Sequence, residues 1–70
     1  MKQQLKRAIS ENKIIVMIYL DQKGNFSKRK VKVLKLHHSY FIGYCYYRQQ
    51  KRLFAIEQIL SIEFVQSKIS

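Results

Sequence analysis

Between Val33 and Leu34 the alternation of apolar and charged residues slips by one position. Val31 and Val33 share one face of an extended segment, with Lys30 and Lys32 on the other. Beyond the slip Leu34 and Leu36 are apolar and Lys35 is polar. Side chains of a strand alternate between faces, so a slip of one residue moves the buried set to the other side unless a bulge or bend absorbs it. A strand from Lys28 to His37 is therefore expected to bend and to pass its core face across two orthogonal layers, as the strands of a small closed barrel do.

The flanking segments agree with a mainly β domain. Ile14–Leu20 is rich in β-branched residues and reads as the first strand. Asp21-Gln22-Lys23-Gly24-Asn25 reads as a turn, because Gly24 can adopt positive φ. Tyr40–Tyr47 and Arg52–Ile56 read as two strands joined by a hairpin turn over Arg48–Lys51. Glu57-Gln58 breaks the pattern, as a turn of 3₁₀ helix would, before a last strand from Ile59 to Val65. At the start of the chain, Leu5, Ala8 and Ile9 follow helical spacing, and Asn12 is a suitable stop. The spacing thus predicts one domain: residues 1–12 as a helix packed on a barrel, residues 13–66 as a five-stranded barrel, and residues 67–70 as a frayed tail.

Composition limits the function. Seventy residues bury only about 60% of their unfolded surface, so the core is modest. The hydrophobic fraction of 47% is too high for a disordered tail. One cysteine, Cys45, excludes an intramolecular disulfide and suits a reducing cytoplasm. The segment MKQQLKRAISENK has no apolar centre, so it does not read as a signal peptide, and the apolar run from Ile14 to Leu20 is too short to span a bilayer. A soluble cytoplasmic protein with no membrane association is expected. Fourteen Lys and Arg against four acids give a net charge of +10, a field that favours anionic partners.

That charge is interleaved with rings. Tyr40, Phe41, Tyr44, Tyr46 and Tyr47 run up to the basic turn Arg48-Gln49-Gln50-Lys51-Arg52, and Phe54 follows. Aromatic faces beside cations suit nucleotides and single-stranded nucleic acid. Tyr40, Ile42, Tyr44 and Tyr46 share one face of the strand, and Phe41, Gly43, Cys45 and Tyr47 share the other. A barrel interior this small cannot hold all the rings, and alternation alone leaves open which set is exposed. His37 and His38 are adjacent, point opposite ways on a strand and have no second cysteine to join them, so no metal site is expected. Neither a Ser-His-Asp set nor a phosphate-binding glycine loop is present in the pattern, so the protein is expected not to be an enzyme and to need no cofactor.

The order of these elements resembles the Sm-like and SH3-like small barrels, and the residues resemble the WYL domain more specifically. Tyr40-Phe41-Ile42 stands where that family has Trp-Tyr-Leu on its third strand. Tyr19 ends the first strand, where the family has a tyrosine. Arg29-Lys30-Val31-Lys32-Val33 resembles its Arg-x-Val-x-Pro segment, with Val33 in place of proline. Gly43-Tyr44-Cys45 with Arg48 resembles the end of the third strand. Arg52-Leu53-Phe54 with Gln58-Ile59 resembles the Arg-x-Phe-x-x-x-Arg-Ile close, with Gln58 in place of the second arginine. The resemblance spans about residues 8–63 and implies a ligand-sensing module of the kind found behind a helix-turn-helix in bacterial transcription regulators. This chain is expected to be a standalone member, without room for a helix-turn-helix, and Gln58 removes one bidentate phosphate donor from the implied groove.

The expected groove holds phosphate with Arg29 and Arg52, helped by Arg48, Lys30 and Lys32, and stacks bases on Tyr40, Phe41 or Tyr47. Its partner is single-stranded nucleic acid or a nucleotide-like ligand, in a regulatory role. A different reading takes the open strand edges as contacts for a homo-oligomer, or the basic surface as a dock for an acidic partner protein. For Arg29 and Arg52 the bland counterpart is solvated charge, or pairing with Glu57 or Glu63.

Overall fold

The structure, a computed structural model, describes residues 2–65. It is mainly β: one helix, α1 (Lys2–Ser10), is followed by β1 (Ile14–Leu20), β2 (Phe26–Leu36), β3 (Tyr40–Cys45) and β4 (Gln50–Ala55). A 3₁₀ turn (Ile56–Gln58) then leads into β5 (Ile59–Phe64). All pairings are antiparallel, in the order β4-β3-β2-β1-β5. The expected tail at 67–70 and the end of the expected barrel at residue 66 lie outside the described residues.

α1 ends where Asn12 takes φ = 54°. The Lys13 N–H bonds the Ala8 carbonyl at 2.8 Å and the Asn12 N–H bonds the Ile9 carbonyl at 3.1 Å. This is a Schellman cap with asparagine at the left-handed position. It reverses the chain so that Leu5 and Ala8 are buried in the core with Ile15 and Met17 of β1 and Val31 of β2.

The slip in β2 is a bulge. Val33 pairs with Gly43, Lys35 pairs with Ile42, and Leu34 is the extra residue between them. Leu34 is left exposed, and Leu36 then pairs with Phe41. Because Gly43 and Phe41 lie on one face of β3, Val33 and Leu36 face the same core. The expected hand-over between two layers is thus replaced by the loss of one leucine to solvent within a single sheet.

The closure into a barrel is likewise corrected. β4 and β5 are the two edges of one sheet and share no ladder. The sheet curls without closing. Its concave face carries Ile15, Met17, Val31, Phe41, Cys45 and Phe54, which with Leu5 and Ala8 of the helix form the core. Phe54 of β4 stacks on Phe41 at 5.3 Å between centroids and meets Tyr19 of β1 edge to face at 5.2 Å, across the concavity.

Gly43 is packed closely against β2 and Phe41. A Cβ there would collide with Val31 Cγ1 and come within 2.9 Å of Phe41 Cε2 and 3.1 Å of the Lys32 carbonyl oxygen. Gly43→Ala is expected to cost about 1–3 kcal/mol, as overpacking of a filled core does, measured as a lower urea midpoint at unchanged slope. Wild-type stability in that variant would contradict the packing described.

A basic cleft on the concave face

Strand parity sets the site. Arg29 lies two residues before Val31 and therefore shares its concave face; it pairs with Met17 on β1. Arg52 lies two residues before Phe54 and pairs with Gly43, so it too is concave. Both stand just past the apolar core. The turn between β3 and β4 brings in Arg48, helped by Gln49 at φ = 56°. These three arginines line one cleft of about 540 Å³ whose walls include Tyr19, Phe54, Asp21 and Gln58.

The polar groups around the arginines are spoken for. Arg29 Nε donates to Ser27 Oγ at 3.1 Å, which orients the guanidinium. The Asp21 carboxylate accepts from the Lys23 and Asn25 N–H groups, each at 2.9 Å, and so serves the β1–β2 turn. Among the described residues the ion pairs are those of Glu11 with Arg7 (3.0 Å) and Lys13 (3.6 Å), at the helix end. The pairing of Arg29 or Arg52 with Glu57 or Glu63 weighed above does not form. Three guanidinium groups, with Lys23 also in the lining, thus stand along one cleft, and none of the three arginines is in an ion pair.

The far wall is a hydrogen-bonded latch. The Tyr19 hydroxyl accepts the Ala55 N–H at 3.0 Å and donates to Gln58 Oε1 across a longer 3.4 Å. Gln58 Nε2 in turn donates to the Leu20 carbonyl at 3.0 Å. The residue that stands in place of the family's second arginine is therefore a structural tie between the 3₁₀ turn and the end of β1. Tyr19 is half-buried with its hydroxyl satisfied, as expected from its place at the end of β1.

Cys45 lies beneath the arginines, fully buried. Burial raises the pKa of its thiol, but the Arg48 N–H, the Arg29 side chain and the Tyr47 N–H favour the thiolate more, and the pKa falls below its ordinary value.

The expected site residues divide into four groups. Arg29, Arg48 and Arg52 come together in the cleft. Tyr47 is 81% exposed at its rim, with the Arg48 guanidinium 5.7 Å from its ring centroid, and it lines a smaller hollow of about 240 Å³ with Ser27, Lys28 and Arg29. Lys30 and Lys32 are on the convex face, one strand position out of phase with the cleft residue Arg29, and so is Tyr40, whose ring stacks on His37 at 4.5 Å. Phe41 is 0% exposed and packs on Phe54, so its proposed stacking on a base is withdrawn: the ring has no free face. Asp21 and Leu53 line the cleft without having been singled out from sequence. The parity of Leu53 points it away from Phe54, and no pattern signals its place at the rim.

The fold and the cleft define a small, mainly β domain with converging arginines over a Tyr19–Phe54 floor. The chain belongs to the WYL domain family, whose model matches residues 1–64. Among solved structures it is similar to proteasome accessory factor B/C (PafBC) of Arthrobacter aurescens, with a TM-score of 0.87 and 24% identity. That match covers 99% of this chain and 12% of the other, so the chain corresponds to a small part of that protein. No curated protein matches it. Among the described residues no helix is long and apolar enough to cross a membrane.

Two outcomes test this geometry. Tyr19→Phe leaves the Ala55 N–H without its acceptor and is expected to lower stability by about 1–2 kcal/mol, read from chemical denaturation; a neutral effect would mean that the latch does not hold the β4 end. The second concerns pH. The folded-state pKa of Cys45 lies below that of the unfolded chain, so its thiolate adds stability that is full above the unfolded pKa and is lost as pH falls through the folded value. The stability difference between wild type and Cys45→Ala is expected to widen from neutral to alkaline pH. A pH-independent difference, or a carbon-13 titration of Cys45 above the ordinary thiol range, would contradict the arrangement around the sulfur.

Proposed function

We propose that this WYL domain is a non-catalytic, regulatory binding module whose concave cleft takes the phosphates of a nucleotide-like ligand or of single-stranded nucleic acid. The observation that carries this reading is the convergence of Arg29, Arg48 and Arg52 on one cleft without a carboxylate partner. Guanidinium groups present planar forks of donors that match phosphate oxygens. Cations gathered this closely repel one another, so an anion that enters relieves that repulsion as well as making hydrogen bonds. The exposed ring of Tyr47 at the rim offers apolar surface to a base.

The test is fluorescence anisotropy with labelled short oligonucleotides and with nucleotides, over a range of salt. With about three phosphates neutralised, log K should fall with log salt at a slope near −2 for a single strand. Arg29→Ala and Arg52→Ala should each weaken binding about tenfold or more and reduce the slope by about 0.7. Because Arg29 also faces Cys45, an occupied cleft should raise the Cys45 thiol pKa. No binding of any of these ligands, or affinity indifferent to salt, would overturn the proposal.

A second reading rests on the unpaired β4 and β5 edges. Open edges pair with other chains, which supports a homo-oligomer or a complex with an acidic protein. The net charge of +10 opposes self-association and favours the acidic partner of the two. Light scattering of the purified chain over a range of salt separates these: assembly that grows as salt screens the charge would support the homo-oligomer.

A further inference from the structure

Alternation along β2 divides its cations between two surfaces. Arg29 enters the cleft, while Lys28, Lys30 and Lys32 point from the convex face, in register with Ile18, Val16 and Ile14 of β1. Their spacing along the strand is about 6.6 Å, two residues at a time, comparable to one nucleotide of an extended chain. The convex face is interleaved with rings. Tyr44 of β3 pairs with Lys32 on one side and with Lys51 of β4 on the other, so a ring stands between two ammonium groups in one cross-strand row. Tyr46 follows, with Lys30 Nζ 5.9 Å from its ring centroid and its own ring edge to face with Tyr44 at 5.2 Å. Among the described residues, the acid on this face is Glu63, paired with Val16 on the far edge strand β5.

The two surfaces meet at the β3–β4 turn. Arg48 is in the cleft, Tyr47 lines the small hollow shared by Arg29 and Lys28, and Tyr46 bonds the Lys30 carbonyl through its N–H at 3.1 Å. A cation–ring contact stands on each side of this turn, Arg48 with Tyr47 on the concave side and Lys30 with Tyr46 on the convex side. An acidic protein would need carboxylates matched to each lysine. The convex rows fit better a repeating anion whose monomers each carry one phosphate and one flat apolar ring.

We propose that the convex face is a second surface for single-stranded nucleic acid, on which a strand anchored by its phosphates in the cleft continues past Tyr47 along Lys28, Lys30 and Lys32, with bases against Tyr46 and Tyr44. This rests on the cleft reading above and adds a prediction that the cleft alone does not make: affinity must rise with strand length beyond what the cleft can hold.

The experiment uses the full chain with oligothymidylates of about three and about fifteen nucleotides and compares K28Q/K30Q/K32Q with R29Q/R52Q. All three lysines are on the surface, and retention of the wild-type amide spectrum checks the fold of each variant. The lysine variant is expected to bind the short oligomer as wild type does, to lose tenfold or more for the long one, and to reduce its salt slope by about 2, three phosphates at the single-strand coefficient. Amides of Lys30, Lys32, Tyr44 and Tyr46 should shift on adding the long oligomer and stay unmoved by the short one. Unchanged binding of the long oligomer by the lysine variant, with the short oligomer still bound, overturns this inference and leaves the cleft reading standing. Failure of wild type to bind either oligomer overturns both. If the lysine variant loses binding to vesicles of phosphatidylglycerol while its long-oligomer affinity is intact, the face is a lipid surface and the inference is wrong.

Discussion

The hydroxyl of Tyr19 holds the curvature on which the site depends. An open five-stranded sheet has no ladder to bring its two edges toward each other, and twist alone would let β4 splay from β1. Tyr19 reaches from β1 across the concavity, packs its ring on Phe54 and accepts the Ala55 N–H at the end of β4. That single contact satisfies a backbone donor at an edge and seals the far end of the core. It also fixes how closely Arg52 on β4 faces Arg29 on β2, and hence whether the cleft is a cleft or a slope.

Curvature and parity then work together. A strand turns every second side chain to the other face, so a basic segment such as Arg29–Lys32 cannot direct all of its charge to one groove. Arg29 gains a concave position because Val31 and Val33 must be buried there, and the lysines are turned out by the same requirement. The planar guanidinium groups stand where a pocket can gather them. The long ammonium stems stand where they can lie along an exposed sheet, as the contact of Lys30 with Tyr46 shows.

Much of this was legible in the residues. The phase slip in β2 foretold the irregularity at Leu34, because periodicity two leaves no other way to put Val31, Val33 and Leu36 on one face. Asn12 foretold the helix end through its tolerance of positive φ. The ordered set of family-like residues foretold the WYL domain. Closure was not legible, since it depends on whether β4 and β5 meet in space, and alternation is blind to that. Nor was the choice between the two faces of β3. Both are aromatic; what decides is that Gly43 lacks a side chain, letting Val31 and Phe41 pack against its backbone and making the Phe41–Gly43–Cys45 face the inner one. Lys30, Lys32 and Tyr40, expected in one groove with Arg29, are turned to the other face by the alternation of β2 and β3.

Gln58 is the departure with the most physical consequence. An arginine has donors but no acceptor. At this position it could still reach the Leu20 carbonyl, but it could not accept from Tyr19, whose proton would then be available to a ligand. With glutamine, the amide offers one group of each kind: Nε2 holds β1 and Oε1 faces the Tyr19 hydroxyl. The cleft gives up a cation and, in the same substitution, directs its phenolic donor inward. The cations left along the cleft are the three guanidinium groups and Lys23. Under the proposed function, this substitution would shift recognition from a mixed set of donors toward charge, which would reward phosphate over a neutral ligand of the same shape and make occupancy answer to ionic strength.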